Sequence, residues 1–222
     1  MLISVIIVLF VILLFVQNKK ISEYFTMSRV KSTVDDNDYL VIKSYSDKEQ
    51  AANLIASVNI FTINFIKTLK DKYLTQDYVE NDTVSYDEYI KGKEITIILL
   101  ERYKPESLQE NEPESPDKTS YTTNKGEVIS LCLREKLSGM NKFHDLDVLK
   151  FVLLHELSHI ITPEFNHSVN FWTNFRFLLD FCNKYGLYTA PTYDETANKV
   201  NYCGLEITYS PVSDMTLSSF FK

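Results

Sequence analysis

The 222-residue sequence predicts an α+β fold in which a histidine-bearing helix packs on a small sheet, behind an N-terminal transmembrane helix. Three observations support this prediction. Apolar residues recur at helical spacing in several long segments, strand-forming residues flank an Asn-Lys-Gly turn, and an apolar run opens the chain. The expected organisation is a membrane anchor over 1–18, a juxtamembrane linker over 19–45 and one globular domain over 46–222.

The N-terminal run from Leu2 to Val16 is apolar apart from one serine. As a helix it would be about 22 Å long, somewhat shorter than the ~30 Å hydrocarbon core of a membrane. A secretory signal peptide is the alternative, but no basic residue precedes the run and no small-residue cleavage site follows it. We therefore expect an uncleaved single-pass anchor. Basic residues follow the run, so the positive-inside rule places the rest of the chain on the cytosolic side.

Composition limits the classes of partner. The net charge of -7 argues against a general nucleic-acid surface, which would normally be basic. The 3 cysteines form neither a disulfide framework nor a C-x-x-C zinc pattern, and their odd number favours a reducing compartment. A bridge between Cys132 and Cys203 is conceivable, but no feature of the sequence supports it.

Two long helices are expected in the first half of the globular domain. A capping box at Ser46–Glu49, with the serine as N-cap, begins a helix that extends to about Tyr73. Ser85 caps a second helix that extends to about Tyr103, although Gly92 and a β-branched run leave a strand as the alternative. Residues 104–119 contain three prolines among acidic residues and predict an exposed loop.

The segment from Tyr121 to Arg134 predicts a β-hairpin with its turn at Asn124-Lys125-Gly126. Such a strand either pairs with an extended substrate through its main chain or is purely structural, and the sequence does not separate these readings. Strand character returns near the C-terminus, over 201–211. Tyr193 and Tyr202 are candidate donors to an oxyanion, with a structural role as the alternative.

The segment with the clearest chemistry is Phe151–Trp172, which holds three of the chain's 4 histidines. His155-Glu156-Leu157-Ser158-His159 is an H-E-x-x-H motif. Asp145 as N-cap and an apolar stripe place it on a helix that ends near Ile161, before Pro163. Residues four apart share one helix face, so both imidazoles can bind one metal ion. Glu156 lies beside them and can accept a proton from a metal-bound water.

His167 follows in a short loop and is the expected third ligand, with Glu164 as the alternative. We therefore expect one Zn²⁺ ion bound by His155, His159 and His167. A second helix is predicted to follow immediately, from Val169 to about Tyr185.

H-E-L-S-H, a loop and then His167-Ser168-Val169-Asn170-Phe171-Trp172 resemble the WLM branch of the SprT-like zincin metallopeptidases. In that branch a third histidine is followed by Phe-Trp at this spacing. The triplets Cys132-Leu133-Arg134 and Tyr202-Cys203-Gly204 are also similar to WLM-like proteins coded by large DNA viruses. One feature differs, because seven residues separate His159 from His167, a longer spacing than the family usually has.

The resemblance implies a zincin-like fold and a zinc peptidase in which His155, His159 and His167 bind the metal and Glu156 is the general base. The family is also associated with proteins crosslinked to DNA, but the acidic composition gives no nucleic-acid signal. The expected partners are a protein or peptide substrate and, through the N-terminal helix, a virion or host membrane. The alternatives are a catalytically inactive zinc-binding structural protein of a membrane or virion, and a zinc hydrolase that does not act on peptides.

Overall fold

The computed structural model of the protein describes residues 26–75, 77–79, 84–111, 119–135 and 142–221. The predicted membrane anchor over 1–18 lies outside the described residues. Within them, one helix, Lys48–Tyr73, is long and apolar enough to cross a membrane by length and composition. The most apolar 18-residue stretch of this helix is 56 % buried inside the protein, as in the core helix of a globular domain.

Four long helices and two sheets make up the described fold. The helices are α1 (Lys48–Tyr73), α2 (Tyr86–Arg102), α3 (Leu146–Ile161) and α4 (Val169–Lys184). The strands of the larger sheet are β1 (Met27–Lys31), β2 (Asp38–Ile42), β3 (Leu108–Glu110), β4 (Tyr121–Thr123) and β5 (Val128–Leu131). A separate hairpin pairs β6 (Val200–Tyr202) with β7 (Leu205–Ile207).

The larger sheet has the strand order β1-β2-β3-β5-β4. Its two outer pairs are antiparallel, and β3 joins them by pairing in parallel with β2 and β5. α1 packs against the sheet, α2 and α3, while α3 also packs on α4 and on β4 and β5. This arrangement confirms a mixed α+β fold and places β4, an edge strand, beside α3.

The linker predicted over 19–45 is wrong where the structure describes it, because residues 27–42 form β1 and β2. The acidic segment between these strands is a turn in which Asp36 has a left-handed backbone with φ 61°. The Asp35 carboxylate accepts hydrogen bonds from the Asn37 amide and the Tyr39 hydroxyl. A polar run that reads as a linker therefore closes a hairpin, since aspartate side chains stabilise tight turns locally.

The predicted loop over 104–119 is also partly wrong. A short 3₁₀ turn, Pro105–Ser107, leads directly into β3 in the middle of the sheet. Glu110 ends β3 and is only 1 % exposed. Its carboxylate accepts hydrogen bonds from the Arg134 Nε at 2.8 Å and from the Ile42 amide at 2.8 Å. An acidic residue typical of a loop is buried here because charged and backbone donors surround it.

The long helices confirm the predictions, with two differences in detail. Ser85 caps α2 as expected, accepting a hydrogen bond from the Glu88 amide. The predicted N-cap Ser46 is wrong, because Asp47 occupies that position and its carboxylate instead accepts from Arg134 Nη1 at 2.7 Å. Gly92 lies inside α2 because a Cβ there would be 2.4 Å from the Tyr73 ring of α1.

Candidate metal centre and cleft

Helix α3 positions the two motif histidines. Asp145 is its N-cap residue, as predicted, and Thr162 ends it in an extended conformation just before Pro163. His155 and His159 lie on the face of the helix that is turned toward a cleft, whereas the neighbouring leucines are buried in the core. The apolar side of α3 therefore anchors the helix, and its histidine face remains accessible.

The three imidazoles of His155, His159 and His167 converge. The Nε2 atom of His167 is 3.2 Å from that of His155 and 3.1 Å from that of His159. A tetrahedral zinc ion with Zn–N bonds of about 2.0–2.1 Å separates its ligand nitrogens by roughly 3.3 Å. Among the described residues this is the one group of His, Cys, Asp or Glu ligand atoms found within 4.8 Å of one another. The donor set and its spacing fit a zinc ion.

The alternative ligand, Glu164, is not part of this cluster. Its carboxylate accepts a hydrogen bond from Asn170 Nδ2 at 3.1 Å. The fourth histidine, His144, lies elsewhere, and its Nε2 accepts from the Cys203 amide at 3.2 Å. The structure thus brings together the three histidines named from the sequence, while their role as ligands remains a prediction.

Aromatic rings hold the imidazoles in place. The Phe171 ring lies 4.9 Å from that of His155, 4.4 Å from that of His159 and 4.6 Å from that of His167. Trp172 packs against His167 at 5.4 Å. Both aromatics come from the first turn of α4, whose N-cap Ser168 accepts from the Phe171 amide. The Phe-Trp pair therefore fixes the orientation of the histidine rings.

The electrostatic surroundings keep the imidazoles neutral. Burial and the neighbouring histidines lower the pKa of His155 to about 3. Burial, His167 and Lys125 lower the pKa of His159 to about 4. Burial also lowers the pKa of His167. At neutral pH all three rings therefore offer a free nitrogen lone pair, the form in which histidine binds metals.

Glu156 lies on the adjoining edge of α3 and is 3 % exposed. Burial raises its pKa to about 7, and a hydrogen bond from Thr122 opposes that rise. The Thr122 Oγ1 donates to Glu156 Oε2 at 2.8 Å. Thr122 belongs to edge strand β4, opposite Ile129 of β5. No pattern in the sequence indicates this contact between Thr122 and Glu156, which are 34 positions apart.

The histidines and Glu156 open onto a cleft of about 620 Å³. One wall is the segment Thr119–Thr122, the floor comes from α3 and α4, and the other wall is the segment Leu205–Tyr209 that includes β7. The lining combines polar residues with a group of apolar and aromatic side chains: Tyr121, Phe151, Val152, Phe165, Trp172, Phe175, Tyr202, Leu205, Ile207 and Tyr209.

The two tyrosines proposed as oxyanion donors differ in position. Tyr193 does not line the cleft, and its ring packs edge-on against Phe151 at 5.0 Å. Tyr202 lines the cleft, but its hydroxyl is engaged with Ser120 Oγ at 2.5 Å. Tyr209 was not singled out in the sequence, although it lines the cleft and packs against Trp172 at 4.9 Å.

The cleft wall formed by β6 and β7 is tied covalently to the larger sheet. Cys132, just after β5, forms a disulfide with Cys203, in the β6–β7 turn. The bridge that the sequence left open, without any feature to support it, is therefore present. The bridged residues are 71 positions apart, and only the fold brings them together. Cys182 is a free, buried cysteine.

Comparison with known proteins identifies the family. The model of the WLM domain matches residues 61–207. The chain belongs to the WLM domain family. It is 31 % identical over 205 residues to an uncharacterized protein of Acanthamoeba polyphaga mimivirus, covering 92 % of this chain and 93 % of the relative.

Two shorter similarities come from other large DNA viruses. A protein of Invertebrate iridescent virus 6 is 40 % identical over 85 residues, which are 38 % of this chain and 44 % of the relative. A protein of Invertebrate iridescent virus 3 is 40 % identical over 90 residues, which are 40 % of this chain and 52 % of the relative. No solved structure matches the chain. These findings confirm the resemblance to WLM proteins of large DNA viruses that was inferred from the H-E-L-S-H segment.

Proposed function

We propose that this WLM protein is a zinc-dependent metallopeptidase. The observation that carries the proposal is the convergence of His155, His159 and His167 beside the buried carboxylate of Glu156. The three nitrogens would hold the ion, and all three histidines line the cleft, so a substrate in the cleft could reach it. That pattern is typical of catalytic rather than structural zinc sites.

When bound, zinc supplies an activated water and polarises the scissile carbonyl. Glu156 would accept a proton from the attacking water and pass it to the leaving amine. Its elevated pKa, about 7, suits a group that takes up and releases a proton near neutral pH. Thr122 holds the carboxylate through Oε2 and so directs the proton-accepting oxygen.

The cleft fits an extended polypeptide with apolar side chains. Strand β4 ends the sheet order, and an edge strand can bind an extended chain through its own amides and carbonyls. The apolar walls would receive large side chains on either side of the scissile bond. Glu206, a charged residue of the lining, is paired with Lys199 at 3.0 Å. We therefore propose that the substrate is an unfolded or flexible protein segment rich in apolar residues.

The proposal includes a membrane location. The apolar run over Leu2–Val16 would anchor the chain, and the basic residues after it favour a domain on the cytosolic side. A protease held at a membrane would act on proteins of the same virion or host membrane. Protease protection of the full chain in sealed membrane vesicles tests this placement, because a cytosolic domain is degraded from outside the vesicle.

The full-length protein, purified in detergent, tests the chemistry. Wild type and Glu156→Gln are compared for bound zinc by elemental analysis and for cleavage of a peptide library. We expect about one zinc per chain in both and a loss of cleavage of about 10²–10⁴-fold in the variant. Full activity of Glu156→Gln would refute the mechanism. Zinc without cleavage in wild type would favour the structural alternative, and hydrolysis of non-peptide esters alone would favour a different hydrolase.

A further inference from the structure

The third histidine of the metal site follows a loop, whereas the other two lie on α3. Residues 162–166 have no regular structure, and His167 itself is exposed. Seven residues separate His159 from His167 along the chain. A ligand on a mobile loop loses affinity, because binding must then restrict the loop's conformational freedom. Contacts that hold the loop in place before the metal binds would therefore strengthen the site, and Asn174 and Asn170 already supply two, to Thr162 and Glu164.

Lys125 makes the contacts that would do this. Its ammonium donates to the carbonyl oxygens of His159 at 3.0 Å, Thr162 at 2.5 Å and Glu164 at 2.9 Å. An ammonium group has three N–H donors, so all of them are used. One acceptor belongs to a metal-site histidine on α3, and the other two belong to the segment that leads to His167. The lysine thus joins the helix end to the loop.

The backbone of the turn that carries Lys125 places this residue at the end of α3. Asn124 and Lys125 have left-handed backbones with φ 45° and 57°. For a lysine this conformation costs roughly 1–2 kcal/mol, which its contacts must offset. Gly126 follows with φ 111°, and a Cβ there would be 3.1 Å from the Arg102 carbonyl and 3.2 Å from Ile160. The turn is therefore pressed against the ends of α2 and α3.

Phe165 of the loop also contacts Lys125. The Phe165 ring lies over the ammonium, with Nζ 4.7 Å from its centroid. Phe165 is 89 % exposed, so the core does not hold it there. A cation over an aromatic face is attracted by roughly 0.5–1 kcal/mol at an exposed site. This contact adds a third link between the turn and the loop, beside the hydrogen bonds to Thr162 and Glu164.

A second cation at the same helix end supplies a comparison. Arg102 Nη1 donates to the Ile160 carbonyl at 2.9 Å. Arg102 thus also neutralises the negative end of α3, where helix carbonyls lack partners. Its hydrogen bond reaches the helix alone, whereas those of Lys125 reach residues 162 and 164 as well. Helix capping and loop positioning can therefore be separated by mutation.

We propose that Lys125 is a positioning residue that fixes the 162–166 loop against the end of α3 and so completes the metal site with His167. The inference rests on the proposed function only in that the three histidines bind zinc. It explains how a histidine that follows a loop without regular structure can lie 3.1–3.2 Å from the other two nitrogens. It also assigns the β4–β5 turn a second role, beyond joining the two strands.

The test is zinc affinity of the full-length protein, measured by competition with a chromophoric chelator. We expect Lys125→Met to weaken zinc binding by about 10–100-fold, the usual effect of losing a group that orients a ligand. Arg102→Met is the matched control, since it removes a cation from the same helix end and should leave affinity within about threefold. With Co²⁺ as the probe, Lys125→Met should alter the d–d spectrum and Arg102→Met should not.

Coupling to the third histidine makes the test specific. In a His167→Ala background, adding Lys125→Met should cause little further loss of zinc affinity, because the loop no longer carries a ligand. Should Lys125→Met fail to fold, Lys125→Gln keeps a donor but is too short to span the three carbonyls, and it should show the same loss. Equal zinc affinity in wild type and the folded lysine variants, or equal losses for the lysine and arginine variants, would overturn the inference. Absence of zinc binding in wild type would instead refute the proposed function.

Discussion

Replacing Thr122 with valine is expected to impair the reaction while leaving the metal site intact. The two side chains have nearly the same shape, so the change removes one hydroxyl and little else. That hydroxyl donates to Glu156 Oε2 at 2.8 Å in a site where the carboxylate is 3 % exposed. Without it, the buried carboxylate loses a hydrogen bond that water cannot easily replace.

The size and sign of the effect follow from this contact. A hydrogen bond to a charged group contributes about 1.5–3 kcal/mol, and about 1.4 kcal/mol corresponds to a tenfold change in rate. We therefore expect kcat/KM to fall by about 10–100-fold. The hydrogen bond lowers the pKa of Glu156 and burial raises it to about 7, so removing the bond raises that pKa further. More Glu156 is then protonated at neutral pH, and the acidic limb of the pH profile shifts to higher pH.

The assay is the pH dependence of kcat/KM on one fluorogenic peptide, with zinc content measured in parallel. Thr123→Val is the matched control, because adjacent strand residues point to opposite faces of the sheet and Thr123 does not line the cleft. Thr123→Val should keep the wild-type profile. An unchanged acidic limb and rate in zinc-loaded Thr122→Val would show that Thr122 does not control the basicity of Glu156.

Three further predictions concern stability. Reducing the Cys132–Cys203 disulfide should lower the free energy of unfolding by about 4 kcal/mol, because the bridge closes a long loop, and thermal melts with and without a reductant measure this. Gly92→Ala should cost about 1–3 kcal/mol in chemical denaturation, because the new Cβ would overlap the Tyr73 ring, whereas alanine usually stabilises a helix. Burial lowers the pKa of His144, so its contribution is complete above the unfolded value of about 6.5 and is lost as pH falls toward the folded value. The difference in unfolding free energy between wild type and His144→Phe, measured in EDTA, should therefore shrink from pH 7.5 to pH 5, and a constant difference would contradict this account.

The sequence predicted those parts of the structure that depend on local signals. The motif helix could be placed from an N-cap, an apolar stripe and Pro163. Helix α4 could be placed from apolar residues at helical spacing and from Gly186, which follows its end. The grouping of His155, His159 and His167 followed from helical periodicity and one nearby loop. Each of these inferences uses residues within a few turns of one another, where spacing along the chain determines spacing in the fold.

The features that the sequence did not predict depend on contacts between segments that are far apart along the chain. Strand β3 has three residues and ends in Glu110, whose charge is compensated by Arg134, 24 positions away. Thr122 reaches Glu156 over 34 positions, and Lys125 reaches Glu164 over 39. A threonine and a lysine in a hairpin have ordinary surface roles until the packing of that hairpin against α3 is known. Such contacts leave no periodic pattern in the sequence.

The disulfide changes the argument about compartment as well as the fold. An odd number of cysteines favours a reducing environment only if none of them is paired. Pairing Cys132 with Cys203 leaves a single buried thiol, Cys182, so the odd count no longer carries that argument. The bridge also holds one wall of the cleft to the sheet that forms the other wall. Since cytosolic thiols are normally kept reduced, the bridge and the positive-inside rule favour opposite sides of the membrane. The shape of the cleft therefore depends on the redox conditions on the side where the domain resides.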